Sequence, residues 1–253
     1  MKKNLQKLNI LAHNLRKETF LEFIKKGEAH LGGSFSIIET IIILFEKILK
    51  INDKFILSKS HASFPFCIYL KKKGYNPKIT THLEIDIKNK IYCTTGSLGH
   101  GLPITVGMAK ASKLLKKKNK FYVLISDGEC QEGTTWESLL IASAHKLDNL
   151  VIIVDYNKIQ ALQKINDVLP LNNLRKKFQS FNLNTYEVKN GHSFTQLFNK
   201  FNNLVTNGMP HVVILNTIKG KGIKAFENDP AWHAKIIEGD LVEIGKKALG
   251  IEK

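Results

Sequence analysis

Arginine is almost missing from this chain. Only Arg16 and Arg175 stand against 38 lysines and arginines in all. The bidentate guanidinium fork that reads phosphates and base edges is therefore scarce, which argues against a nucleic-acid-binding role despite a formal charge of +16. The lysines are scattered, with short clusters at 71–73 and 116–118 where surface helices should end. Cysteine is also rare: Cys67, Cys93 and Cys130 lie far apart and form no metal-ligand spacing, which excludes a disulfide framework and suits a reducing compartment. No apolar run approaches the roughly 20 residues a membrane span needs. The N-terminal segment carries an amphipathic face at Leu8, Leu11, Ala12 and Leu15 instead of the continuous apolar core of a signal peptide. Repeats, low-complexity tracts and domain-scale linkers are lacking too. The expectation is a soluble, cytoplasmic protein of one domain, residues 1–253, with neither nucleic acid nor membrane as partner.

What the chain does hold is an alternation of apolar strands and helical segments. Residues 121–125 (FYVLI) and 150–155 (LVIIVD) read as buried strands. Between them, 133–147 has helical length and an apolar face at Leu139, Leu140, Ala144 and Leu147. Such a unit makes two parallel strands by a right-handed crossover, so both end on the same edge of the sheet, where open α/β sheets bind ligands. Asp127 and Asn157 should then stand close together and present two hard oxygens, suited to Mg²⁺ or Ca²⁺ held with a diphosphate. Gly128 lets a phosphate approach the backbone, and the helix that follows offers it a positive N-terminus. The other expected elements are helices over 5–26, 36–49, 63–73, 101–115, 193–205 and 239–249, and strands over 55–57, 183–188 and 212–216. Segments 78–92 and 158–173 read as connections. The fold class is α/β, a doubly wound parallel sheet with helices on both faces.

The run Ser126-Asp127-Gly128-Glu129-Cys130-Gln131-Glu132-Gly133, with Asp155-Tyr156-Asn157-Lys158-Ile159-Gln160 downstream, resembles the thiamine-diphosphate motif of transketolases. Four further segments resemble that family in order and spacing. They are Ala29-His30-Leu31-Gly32-Gly33-Ser34, Leu57-Ser58-Lys59-Ser60-His61-Ala62, Thr94-Thr95-Gly96-Ser97-Leu98-Gly99-His100-Gly101, and Asn216-Thr217-Ile218-Lys219-Gly220-Lys221-Gly222 followed by Glu227-Asn228-Asp229-Pro230-Ala231-Trp232-His233. The match covers nearly the whole chain. It extends only to the family's diphosphate-binding domain, and no segment resembles the pyrimidine-binding domain.

The resemblance implies thiamine diphosphate and Mg²⁺ (or Ca²⁺) as cofactors, with Asp127, the Asn157 side chain and the Ile159 carbonyl as metal ligands. It places Gly128 and Asn157 on the diphosphate, His61 and His233 beside it, and His30 and His82 along a substrate channel. His82 departs from the family pattern, since Thr81-His82-Leu83-Glu84 stands where Gly-His-Pro-Glu is usual. Gly96 and Leu98 match positions that meet the aminopyrimidine ring, and Glu132 and Glu137 match carboxylates at a subunit contact. Ser126 and Ser60 stand where glycine is usual, each adding a hydroxyl beside the diphosphate. The implied reaction is transfer of a two-carbon ketol unit from a ketose phosphate to an aldose phosphate, a pentose-phosphate-pathway chemistry. The implied partner is a separate C-terminal transketolase subunit carrying the pyrimidine-binding domain, two copies of each chain forming a heterotetramer. Two alternatives stand beside it: a deoxyxylulose-phosphate synthase-like carboligase, and an orphan domain without catalysis.

Overall fold

The computed structural model describes residues 2–161 and 163–252. Its centre is a five-stranded sheet in the order β1-β2-β3-β7-β6, every neighbouring pair parallel. The strands are β1 (Lys54–Leu57), β2 (Phe121–Ser126), β3 (Leu150–Tyr156), β6 (Asn184–Val188) and β7 (His211–Asn216). Two short strands, β4 (Ile159–Gln160) and β5 (Gln163–Lys164), form an antiparallel hairpin apart from it. The helices are α1 (Lys2–Lys26), α2 (Leu31–Phe35), α3 (Ile38–Ile43), α4 (Ser63–Lys72), α5 (Gly101–Leu114), α6 (Gly133–Ala144), α7 (Ile165–Val168), α8 (Leu174–Ser180), α9 (Phe194–Asn202) and α10 (Asp240–Leu249).

Strand periodicity divides the core into two. Phe55, Leu57, Tyr122, Leu124, Val151 and Ile153 face one side, against Phe20 and Phe23 of α1, Ile41 of α3, Phe64 of α4 and Leu197 of α9. Ile56, Val123, Ile125, Ile152, Val154 and Val212 face the other, against Val106 of α5, Leu139 of α6 and Phe178 of α8. A sheet covered on both faces needs strands that are apolar throughout, which is why β2 and β3 read as continuous runs. This is the doubly wound sheet expected. Among the described residues no helix is long and apolar enough to cross a membrane.

Two expectations change. The helix expected over 36–49 starts late and changes form: α2 ends before it at Phe35, a turn covers 36–37, and α3 passes into a π turn at Leu44–Ile48. The Ser36 hydroxyl donates to the Gly33 carbonyl (2.9 Å) and to Asp155 (2.6 Å), so this residue is claimed by long-range contacts at the joint. The connection after Asn157 is not structureless: it holds the β4–β5 hairpin and α7, and α8 follows it.

Gly101 opens α5 with no room for a side chain. A Cβ there would collide with the Ser58 hydroxyl and lie 2.8 Å from the Ser58 Cα. Gly101→Ala is expected to lower stability by about 1–3 kcal/mol, the usual range for overpacking. Thermal denaturation checks this, and an unchanged midpoint would show that β1 and α5 can part freely.

Candidate cofactor site

The carboxyl ends of β1, β2, β3 and β7 converge on a cavity of about 130 Å³. Asp127, Gly128, Asn157, Ile159, Lys59, Lys219, His61, His233 and Leu98 are among its lining residues. β2 delivers Asp127, whose Oδ1 accepts from the Gly128 N–H (2.9 Å) and whose Oδ2 accepts from the Lys158 N–H (2.6 Å). Two residues past Asp155, the Asn157 amide donates to Asp155 Oδ2 (3.1 Å), while its Oδ1 accepts from the Ile159 N–H (3.1 Å). Asp127 and Asn157 thus line the same cavity at neighbouring strand ends.

Asp155 organises the floor. It accepts from Ser36 (2.6 Å), Lys59 Nζ (2.5 Å), the Asn157 amide and the Thr217 hydroxyl. Burial alone would raise its pKa, but the Lys59 charge and these hydrogen bonds outweigh it and hold the carboxyl below the usual range. Asp127 has no such cation in contact. Burial, and then the nearby Asp155 charge, push its carboxyl up to about 7. Lys219 mirrors it: its ammonium donates to the Ile159 carbonyl and to His233 Nδ1, both at 3.1 Å, without a carboxylate partner. Burial, and then Lys59, bring its pKa down to about 8. The cavity thus carries a carboxylate short of a cation and an ammonium short of an anion. A metal–diphosphate pair fits that need, since it brings both.

Three of the four expected histidines cluster here. The rings of His30, His61 and His233 lie 5.3–5.6 Å apart, centre to centre. Burial lowers the pKa of each, His233 to about 3, so they stand as neutral rings. His30 is held at φ +76°, and its Nδ1 is buried without a hydrogen-bond partner. His82 is exposed, near enough to His30 for its charge to act on that ring, and its own ring lies over Gly96, where a Cβ would meet it at 2.5 Å. It lines a separate cleft with Lys78 and Glu84. Glu132 and Glu137 are exposed, the former packed against Gly99.

The two serines found in place of glycine turn toward the protein. Ser60 donates to the Thr95 carbonyl (2.7 Å), and Ser126 Oγ accepts from the Glu129 N–H (3.2 Å). The helix expected from Gly133 begins there, but its N-terminus does not abut Asp127. A 3-10 turn, Gly128–Gln131, intervenes, in which Glu129 folds back to accept from the Ser126 N–H (2.9 Å). The N-terminus of α6 is therefore one turn removed from the cavity. Cys130 is buried beneath this turn with its thiol pKa well above normal because of burial and the neighbouring carboxylates, so it is a packing residue.

Lys59, Asp155, Glu129 and the charge of Lys219 belong to the site, yet sequence reasoning passes over them. Glu129 is fully buried and accepts from Ser58, from the Gly99 N–H (3.2 Å) and from Ser126, tying the glycine-rich segment to the ends of β1 and β2. A signal exists: charged residues inside apolar or glycine-rich motifs are buried only when paired. Among the described residues no three His, Cys, Asp or Glu side chains form a metal cluster. The ligand set expected from the family resemblance is of another kind: one carboxylate, one amide and one backbone carbonyl, on residues that all line this cavity.

A parallel α/β sheet with paired acidic, amide and ammonium groups at its carboxyl edge defines a protein built to hold a charged cofactor there. Residues 15–253 match the family model for the transketolase thiamine diphosphate-binding domain. The chain is 36% identical to an apulose-4-phosphate transketolase subunit from Actinobacillus succinogenes, over 92% of each chain. It is 33% identical to a 6-deoxy-6-sulfo-D-fructose transketolase subunit of a Clostridium species, over 88% of each. Human transketolase matches at 31% over 94% of this chain but only 41% of its own length. Among solved structures, transketolase from Leishmania mexicana superposes with a TM-score of 0.88 over 96% of this chain, at 22% identity, a likeness of fold. The chain belongs to the transketolase family and carries its thiamine diphosphate-binding domain.

Proposed function

We propose that this chain binds the diphosphate end of thiamine diphosphate with Mg²⁺, as one subunit of a divided transketolase. When bound, thiamine diphosphate supplies the electron sink for transfer of a two-carbon ketol unit. Asp127, Asn157 Oδ1 and the Ile159 carbonyl hold the metal. Lys219, the Gly128 backbone and His61 face the phosphates, and Leu98 and Gly96 meet the ring. A Cβ on Gly128 would have only ordinary contacts within the protein, the nearest at 3.7 Å, so the glycine relieves no clash and leaves its side of the cavity open for a phosphate to approach the backbone. Neutral His233 stands with His61 at the diphosphate, and neutral His30 orients hydroxyl and carbonyl groups of the sugar, with His82, in its own cleft, nearer the mouth of the channel. The relatives named for apulose-4-phosphate and 6-deoxy-6-sulfo-D-fructose support an uncommon anionic ketose as donor. The names of those relatives as subunits likewise support a separate partner; in this reading it carries the pyrimidine-binding domain, and two copies of each chain assemble.

The observation that carries this reading is the pair of unmatched charges, Asp127 and Lys219, on one cavity. Their titration gives the test. Affinity for a ligand reports the pKa values of the free chain. Below about 7 a proton on Asp127 competes with the metal, and above about 8 Lys219 loses the charge that meets phosphate. Calorimetric titration of thiamine diphosphate with Mg²⁺ should therefore show a maximum in affinity near pH 7–8. The acid limb approaches about tenfold per pH unit and vanishes in Asp127→Asn. Affinity that stays flat from the acid to the alkaline side would sink this assignment of the two groups.

A further inference from the structure

The loop that carries Lys219 into the cavity is gripped from outside by a buried chain of three side chains. His192, in the turn between β6 and α9, is 7% exposed and lies 2.9 Å from Glu39 through Nδ1. Its Nε2 receives the Ile218 backbone N–H at 2.8 Å. A backbone N–H can only donate, so Nε2 carries the lone pair, and Nδ1 carries the hydrogen that Glu39 accepts. The other Glu39 oxygen takes the Arg16 guanidinium at 2.7 Å. Burial would raise the Glu39 pKa, but Arg16 and His192 outweigh it and bring it to about 2, so Glu39 is an anion throughout the working range. Arg16 in turn packs on Gly222, where a Cβ would collide with its Cδ and lie 2.8 Å from its Nε. Residues 218 and 222 are thus fixed from α1, α3 and the β6–α9 turn, one on each side of Lys219. Lys219 itself is 1% exposed and spans to the Ile159 carbonyl.

We propose that His192 is a positioning residue for the cofactor site: it acts through the Ile218 amide to hold the Lys219 ammonium at the diphosphate end. This rests on the reading of the cavity as a diphosphate site. None of the three gripping side chains lines the cavity, so their effect on it must pass through the loop.

The test is calorimetric titration of the full chain with pyrophosphate and Mg²⁺, run well below the melting temperature of every variant. His192→Phe keeps the ring shape and removes both hydrogen bonds, and is expected to weaken pyrophosphate about tenfold. His192→Gln offers one donor and one acceptor at the end of its side chain and is expected to stay within about threefold of wild type. In a Lys219→Met background, His192→Phe should add less than about twofold, because its effect runs through the missing ammonium. His192→Asn, too short to span Glu39 and Ile218, reads the same loss should the Phe variant fail to fold. Folded His192→Phe or His192→Asn with wild-type affinity would overturn the proposal. So would a full additive loss in the Lys219→Met background, which marks a merely structural role. If wild type itself binds no pyrophosphate, the diphosphate reading falls, and this proposal falls with it.

Discussion

Asp127→Ala is expected to abolish the Mg²⁺-dependent binding of thiamine diphosphate, weakening it by about a hundredfold or more. A lost ligand should cost at least as much as a lost outer-sphere partner, which is worth about 10–100-fold. The side chain is buried, with Gly128 and Lys158 donating backbone hydrogens to it and no cation in contact. It is the carboxylate among the three expected metal ligands, so nothing else in that set replaces its charge. The measurement is a thermal shift. A ligand at a hundred times its dissociation constant adds about 2.7 kcal/mol to stability. In a domain of this size that raises the midpoint by roughly 5–10 °C. Wild type should show that rise with thiamine diphosphate and Mg²⁺ together, and Asp127→Ala should show none. A rise of the same size in the variant would remove Asp127 from the metal site.

Much of that site is legible in the sequence because its two central residues end apolar strands. β2 and β3 are largely apolar runs, so their ends are sharp, and Asp127 and Asn157 are the first residues beyond them. The histidines at 30, 61 and 233 come together as family spacing implies, since each sits on a turn fixed to a strand end or helix start. What the sequence hides is the partner of each buried charge. Asp155 takes donors from residues 119, 96 and 62 positions away, and no local pattern encodes that convergence. The same applies to Glu129, whose partners come from three segments. Helix breaks are hidden for a related reason: Ser36 keeps helical periodicity in sequence, yet its hydroxyl is claimed by Asp155 across the fold. His82 shows the limit from the other side. Its neighbours depart from the family pattern, and the structure leaves it exposed and outside the histidine cluster.

Purified alone and saturated with thiamine diphosphate and Mg²⁺, the chain is expected to transfer no ketol unit, and addition of the partner subunit should raise the rate by at least about a thousandfold. The reason is a shortage of uncommitted groups. Activating an aminopyrimidine calls for a carboxyl group at hydrogen-bond range of the ring, a contribution of about 10²–10⁴ in general acid–base catalysis. Each buried carboxylate around the cavity is already engaged: Asp127 with two backbone amides, Asp155 with four donors, Glu129 with Ser58, Gly99 and Ser126. Gripping a sugar phosphate or sulfonate calls for a guanidinium fork, yet Arg16 is buried against Glu39 and Arg175 is exposed on α8, neither lining the cavity. The partner that completes the site therefore has to bring both a carboxyl group and a cationic clamp. Reciprocity of coupled binding then requires that the partner tighten cofactor binding by the same factor as the cofactor tightens the partner. A sugar-transfer assay on the chain alone, on the partner alone and on their mixture measures this directly. Turnover by the lone chain at a rate near that of the mixture would mean that its own histidines and lysines suffice, and that the partner does not complete the active site.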